Sequence, residues 1–135
     1  MRFVKTLILA SVFLSMGVQA HGMNPGLTKV TTYKDISKMT YEVYNSYEFP
    51  AVYTMQVFTQ DLTPAPESLY RFLDGKSVVR LKPNSKAKVD VLFKPEQDVS
   101  RFIVCSVLTG VSYEEVKPSI TSRVCSRLII ERIGR

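Results

Sequence analysis

The sequence predicts an all-β domain, on three observations. From Thr28 onward apolar and polar residues alternate with a period of two, and there is hardly any 3.6-residue periodicity of useful length. The alternating runs are rich in Val, Thr and Tyr, side chains that suit a pleated, half-buried surface. Short groups of Pro, Gly, Asn and Ser punctuate the runs as turns. Seven such runs after the leader described next are the pattern of an immunoglobulin-like sandwich.

Residues 1–20 read as a leader and not as part of the fold. Arg2 and Lys5 precede the apolar stretch 7–14, and Val18-Gln19-Ala20 gives the small-x-small pattern that signal peptidase cuts after. The mature chain is then expected to start at His21. The apolar stretch is too short to cross a bilayer core of about 30 Å as a helix, and no Cys follows the cut to accept a lipid. The expected product is a soluble periplasmic or secreted protein, with no integral membrane insertion after cleavage. It comprises a short N-terminal segment, 21–27, and one domain, 28–135. Of the 18 basic residues, removal of Arg2 and Lys5 leaves sixteen against twelve acidic ones, a net charge of +4. The basic residues are spread along the chain, which argues against nucleic acid as a partner and allows attraction to acidic ones.

The strands follow in order. Residues 28–33 form the first, and 39–44 the second, with Met39, Tyr41 and Val43 on one face. After the break at 45–50 comes 51–59, where Tyr53, Met55 and Val57 alternate with Thr54, Gln56 and Phe58. Pro64 and Pro66 oppose regular pairing in 61–75, where 68–73 reads as a helical turn or an edge crossing. Strand 77–81 closes on Lys82-Pro83-Asn84-Ser85 and leads into 86–93, with Val89, Val91 and Phe93 alternating against Lys88 and Asp90. Strands 101–108 and 123–132 complete the set. Val43, Val57, Val91, Phe102, Val104 and Leu128 are the expected core.

Cys105 and Cys125 are an even pair in an exported chain, so a structural disulfide is expected. Two thiols with no second His or Cys nearby cannot complete a tetrahedral zinc site. A bridge between neighbouring antiparallel strands requires both side chains on one face. In the final strand Val124, Leu128 and Ile130 form the apolar set, which turns Cys125 outward with Arg123, Arg127, Ile129 and Glu131. The preceding strand must then show Ile103, Cys105 and Val107 outward and keep Phe102, Val104 and Leu108 inside. Ile103, Val107, Ile129, Arg123 and Arg127 thus make a mixed apolar and basic outer surface, a candidate for partner contact. The competing reading is scattered surface apolar residues, or cover by the irregular 61–75 segment.

Residues 41–52 (YEVYNSYEFPAV) and 79–89 (VRLKPNSKAKV) resemble the PapD-like immunoglobulin domain, which opens periplasmic pilus chaperones and occurs in other periplasmic proteins and in eukaryotic sperm-protein domains. The shared pattern is a strand ending in Asn and a small residue, a proline-bearing turn, then Leu-x-Pro-x-small before alternating valines. The likeness spans residues 28–132 and implies a protein-binding role. In those chaperones a second domain completes a cleft whose basic residues anchor the subunit carboxylate; with the chain stopping at Arg135, no such cleft is expected here. The connection 110–122, with Tyr113, Glu114, Glu115 and Pro118, resembles the long loop those chaperones carry before their subunit-binding strand. What the resemblance leaves is a sheet edge able to take or donate a strand.

As a mature N-terminus, His21 could chelate copper through its amine and imidazole, but there is no second His, so Met23, a carboxylate or a tyrosine would have to complete a weak site. The alternative is an incidental first residue on a disordered terminus. Glu114 and Glu115 are adjacent in an extended connection and so point apart, a poor glycosidase pair. Tyr41, Tyr44, Tyr47, Phe49 and Tyr53 crowd one hairpin, as a sugar platform or as packing. No nucleophile, phosphate-loop or zinc-protease signature appears, and no enzyme activity or cofactor is expected. The sequence therefore points to a chaperone-like accessory of pilus, conjugation or other envelope assembly with a protein partner in the envelope. The alternative is a structural subunit or secreted adhesin of a surface appendage.

Overall fold

The computed structural model describes residues 21–111 and 122–134. Nine strands run in order: β1 (His21–Asn24), β2 (Leu27–Thr32), β3 (Ser37–Asn45), β4 (Ala51–Thr59), β5 (Tyr70–Phe72), β6 (Val78–Leu81), β7 (Ser85–Phe93), β8 (Val99–Val111) and β9 (Arg123–Arg132). They form a four-stranded sheet, β1-β3-β7-β5, and a five-stranded sheet, β2-β9-β8-β4-β6. The seven expected strands are all present, and the extra pair, β1 and β5, lies on the edges of the four-stranded sheet.

The period-two reading fixes the core. Tyr41 and Val43 from β3, Tyr53, Met55 and Val57 from β4, Val89, Val91 and Phe93 from β7, Phe102, Val104 and Leu108 from β8, and Leu128 and Ile130 from β9 are buried between the sheets. All six residues expected in the core are among them. Phe93 and Phe102, from opposite sheets, meet with ring centroids 4.9 Å apart.

Segment 21–27 is part of the sandwich and not a separate tail. β1 pairs antiparallel with β3, from His21 opposite Asn45 to Asn24 opposite Glu42. Gly22 sits under the ring of Tyr44, where any Cβ would collide with the phenol, so this position admits only glycine in the present packing. The Asn24-Pro25 peptide is cis, and beyond it the chain crosses to the other sheet, where β2 runs parallel to β9.

Turn chemistry accounts for the connections. The β6–β7 turn follows Pro83 with Asn84 at φ 53°, the left-handed conformation that a type II turn requires at its third residue. Segment 61–75 does not cover the outer surface of the final hairpin. Pro64 bridges to Phe58, the Ala65 amide donates to Val57 O, and the chain then passes to the four-stranded sheet, where β5 pairs with β7. A short 3-10 turn, Leu73–Gly75, follows.

Asn45 ties one end of the sandwich together. It is 1% exposed, and its Nδ2 donates to Phe49 O and Lys82 O, while its Oδ1 accepts from the Tyr47 amide and the Tyr53 hydroxyl. One side chain thereby joins the β3–β4 turn, the β6–β7 turn and the facing sheet. A buried amide is tolerable only when its donors and acceptors are paired this fully.

Candidate functional site: the outer face of the final hairpin

The β8–β9 ladder sets Cys105 directly opposite Cys125, with Ile103 opposite Arg127, Arg101 opposite Ile129 and Val107 opposite Arg123. The disulfide is formed, and the Cα atoms are 4.0 Å apart. Close Cα spacing belongs to the non-hydrogen-bonded pairs of an antiparallel ladder, where side chains approach most nearly. Both cysteines stand on the outer side of the sheet, since their neighbours Val104, Ser106 and Ser126 are buried on the inner side and Val124 packs against the core. The five residues singled out on the sequence therefore share one face. Ile103, Val107 and Ile129 are half-buried on it, and Arg123 and Arg127 are exposed.

The face is larger than the sequence reading made it. Phe58 of β4 lies opposite Ile103 of β8, and the Arg123 guanidinium rests over its ring at 5.2 Å from the centroid. Leu27, opposite Arg127 across the parallel ladder, is 66% exposed. A cavity of about 440 Å³ has Leu27, Gln60, Arg101, Ile103, Arg127 and Ile129 among its lining residues. Phe58 was legible as an outward residue by its alternation with Val57, but no local signal joined it to a hairpin forty residues away. Leu27 carried no signal, because its place depends on a parallel pairing to the chain's last strand.

This face also has an open margin. β2 begins opposite Arg127, so no described strand pairs with the outer side of β9 at Arg123 and Cys125. Arg127 donates its amide toward the β2 side, to Gly26 O. Peptide groups alternate along a strand, so those of Arg123 and Cys125 point to the same side, where no described strand pairs with them. Residues 112–121 of the connection, including Tyr113, Glu114, Glu115 and Pro118, lie outside the described residues.

Behind the open margin, His21 spans the two sheets. Its Nε2 is 2.6 Å from Ser106 Oγ and its Nδ1 2.9 Å from Ser122 Oγ, and its ring packs on Tyr53 with centroids 4.3 Å apart. Burial lowers its pKa from 6.5 to about 4, so the ring is neutral at neutral pH. Burial also raises the Tyr53 phenol to about 12, with Tyr47 adding to the shift. The reading of His21 as an incidental residue on a disordered terminus is thus corrected: it is a 4% exposed packing residue whose two ring nitrogens are engaged by hydroxyls. Tyr41 and Tyr53 are likewise buried, and Tyr47 and Phe49 stack on each other at 4.5 Å, so this hairpin's aromatics serve packing and the turn more than any open platform.

No protein-family model and no curated protein sequence matches the chain. Solved structures do. The SafA pilin–SafB chaperone complex of Salmonella enterica matches with TM-score 0.64 at 16% identity, over 83% of this chain and 54% of that one. The Escherichia coli chaperone DraB matches with TM-score 0.64 at 15% identity, over 83% and 54%. A PapD-like domain of human CEP192 matches with TM-score 0.64 at 12% identity, over 86% and 87%. The chain spans about half the length of the chaperone chains and nearly all of the CEP192 domain. At these identities the likeness is one of fold, and it identifies the chain as a PapD-like immunoglobulin-type sandwich.

Proposed function

We propose that the protein, cut after Ala20, acts in the cell envelope as a chaperone-like protein-binding module, an accessory of pilus or other envelope assembly. Its partner would dock on the outer face of the β8–β9 hairpin and along the open margin of β9, with Ile103, Val107, Arg123, Arg127 and Ile129 as contacts and the 110–122 connection contributing. The observation that carries this reading is the combination of half-buried apolar side chains, exposed arginines and a stretch of β9 that no described strand pairs, all at one place. Arginine is enriched among the energetically dominant contacts between proteins. The structural likeness to chaperones supports a protein partner through its fold alone.

The test is capture of envelope proteins by the wild-type domain and by Val107→Asp and Ile129→Asp, compared at equal melting temperature. Each substitution should weaken capture of the wild-type partner by about tenfold or more, or 1.4 kcal/mol. Capture unchanged by both would remove this face and return the 61–75 margin of the sandwich as the next place to look. Recovery of the protein itself in sheared surface material, with no partner, would favour the reading as a structural subunit.

A further inference from the structure

The disulfide at the centre of this face is built unsymmetrically, and we infer that it is a thiol-exchange site opened from one side, with Cys125 the sulfur attacked and Cys105 the leaving group. Cys105 is fully buried although it stands on the outer face, whereas Cys125 is exposed. The register explains the difference. Arg123 is opposite Val107, and Phe58 is opposite Ile103, with Cys105 between these two on β8. To rest its guanidinium over Phe58, the Arg123 side chain has to cross β8 diagonally at Cys105. A side chain on that path would cover the Cys105 sulfur and leave Cys125 open, in keeping with their unequal exposure.

The direction of attack agrees. A thiolate displaces one sulfur of a disulfide through a mixed-disulfide intermediate, approaching along the sulfur–sulfur axis from behind the sulfur it attacks. Here the bond joins adjacent strands, so behind Cys105 lies β4, with Gln56 in register, and behind Cys125 lies the margin where no described strand pairs. Arg127 stands two residues from Cys125 on the same face and is exposed, a cation that attracts an anionic thiolate. The ligand is thus the thiolate of a small thiol or of an exposed dithiol.

The bond chemistry balances without another reactant. The incoming thiolate forms a bond to Sγ of Cys125, and the electron pair of the Cys105–Cys125 bond passes to Sγ of Cys105, which leaves as a thiolate. With a dithiol, its second thiol, as thiolate, displaces Cys125; the dithiol becomes a disulfide and both cysteines are left reduced. Two electrons move from the external dithiol to the protein.

The experiment incubates the oxidised mature protein under native conditions with glutathione in one arm. The other arm uses a Cys-x-x-Cys oxidoreductase whose second cysteine is Ser, so that the mixed disulfide persists. Acid quenching, alkylation with N-ethylmaleimide and peptide mass spectrometry then locate the adduct. The expected product carries the thiol on Cys125 and the maleimide on Cys105, in about tenfold or greater excess over the reverse. Adduct in the glutathione arm identifies small thiols as sufficient; adduct in the second arm alone assigns the site to a protein dithiol. Equal amounts on both cysteines, or exchange in neither arm until denaturant is added, would overturn the inference. Arg123→Ala, checked for an unchanged fold by its melting temperature, should bring the ratio toward unity, and a retained excess would refute the role of Arg123 as the cover.

Discussion

The two outer faces of the sandwich arise from the same alternating strands and end up with opposite completeness. On the four-stranded sheet several outward residues of β3 and β7 find partners within the chain: Lys38 pairs with Asp90 at 3.5 Å, Lys86 with Glu42 at 3.5 Å, and the Thr40 hydroxyl donates to Asp90 at 2.5 Å. These contacts follow the ladder, with Thr40 opposite Asp90 and Lys38 and Lys86 on the diagonals. On the five-stranded sheet Arg101, Arg123 and Arg127 surround Ile103, Val107 and Ile129, and Lys29–Glu131 is the ion pair of that face among the described residues. A face that satisfies its own charges has little to offer a partner. A face that sets apolar surface among cations has more, which is the reason partner binding is proposed there.

What each face offers depends on which residues point inward, and the largest expected effect lies there. Phe102 and Ile103 are neighbours on β8 facing opposite ways, one 3% exposed and in contact with Phe93, the other half-buried on the outer face. Phe102→Ala should cost about 3–5 kcal/mol through lost burial and the cavity left behind. Ile103→Ala should cost well under half of that. Chemical unfolding of both variants decides, and equal losses would mean that the two faces have been confused.

The disulfide locks one outer face and has no counterpart on the other. It closes a loop between residues 20 apart in sequence, for which the chain-entropy account gives about 3 kcal/mol. Reduction followed by alkylation should lower the unfolding free energy by that order. A change below about 0.5 kcal/mol would show that the β8–β9 ladder needs no lock.

His21 gives an acid response that neither outer face supplies. Its folded pKa of about 4 lies below the 6.5 of an unfolded histidine, so the folded state prefers the neutral ring. Its full contribution is present above pH 6.5, falls as the unfolded chain takes up a proton on acidification, and is lost once the pH is below about 4. The loss amounts to about 3 kcal/mol. His21→Gln should flatten stability over that window, and a slope identical to wild type would place the acid sensitivity elsewhere.

The alternation that makes the core was legible in the sequence, and so were the strand faces that follow from pairing the two cysteines. Val43, Val91 and Leu128 needed only a period of two. His21-Gly22-Met23-Asn24 has no alternation to read, and it becomes a strand because β3 offers it an edge and Tyr44 covers its glycine. Tyr70-Arg71-Phe72 is too short for a periodic signal, and its pairing with β7 comes from tertiary placement after two prolines. The unequal exposure of the two cysteines was invisible for a third reason. Alternation places a side chain on a face, but what covers it is set by the reach of a long neighbour, here Arg123 toward Phe58.

The smallest effect isolates the contrast between the faces from stability. Glu42 lies 3.5 Å from Lys86 on the outer face of the four-stranded sheet, with the Lys side chain 68% exposed. Exposed ion pairs contribute about 0.2–1 kcal/mol, reduced further by salt. Glu42→Gln should therefore lower stability by no more than about 1 kcal/mol, with the difference shrinking as salt is added. Partner capture should remain at the wild-type level, because the substitution acts on the opposite side of the core from Ile129. A loss of capture equal to that of Ile129→Asp would mean that binding depends on the sandwich as a whole, and that the incomplete face has no special claim to it.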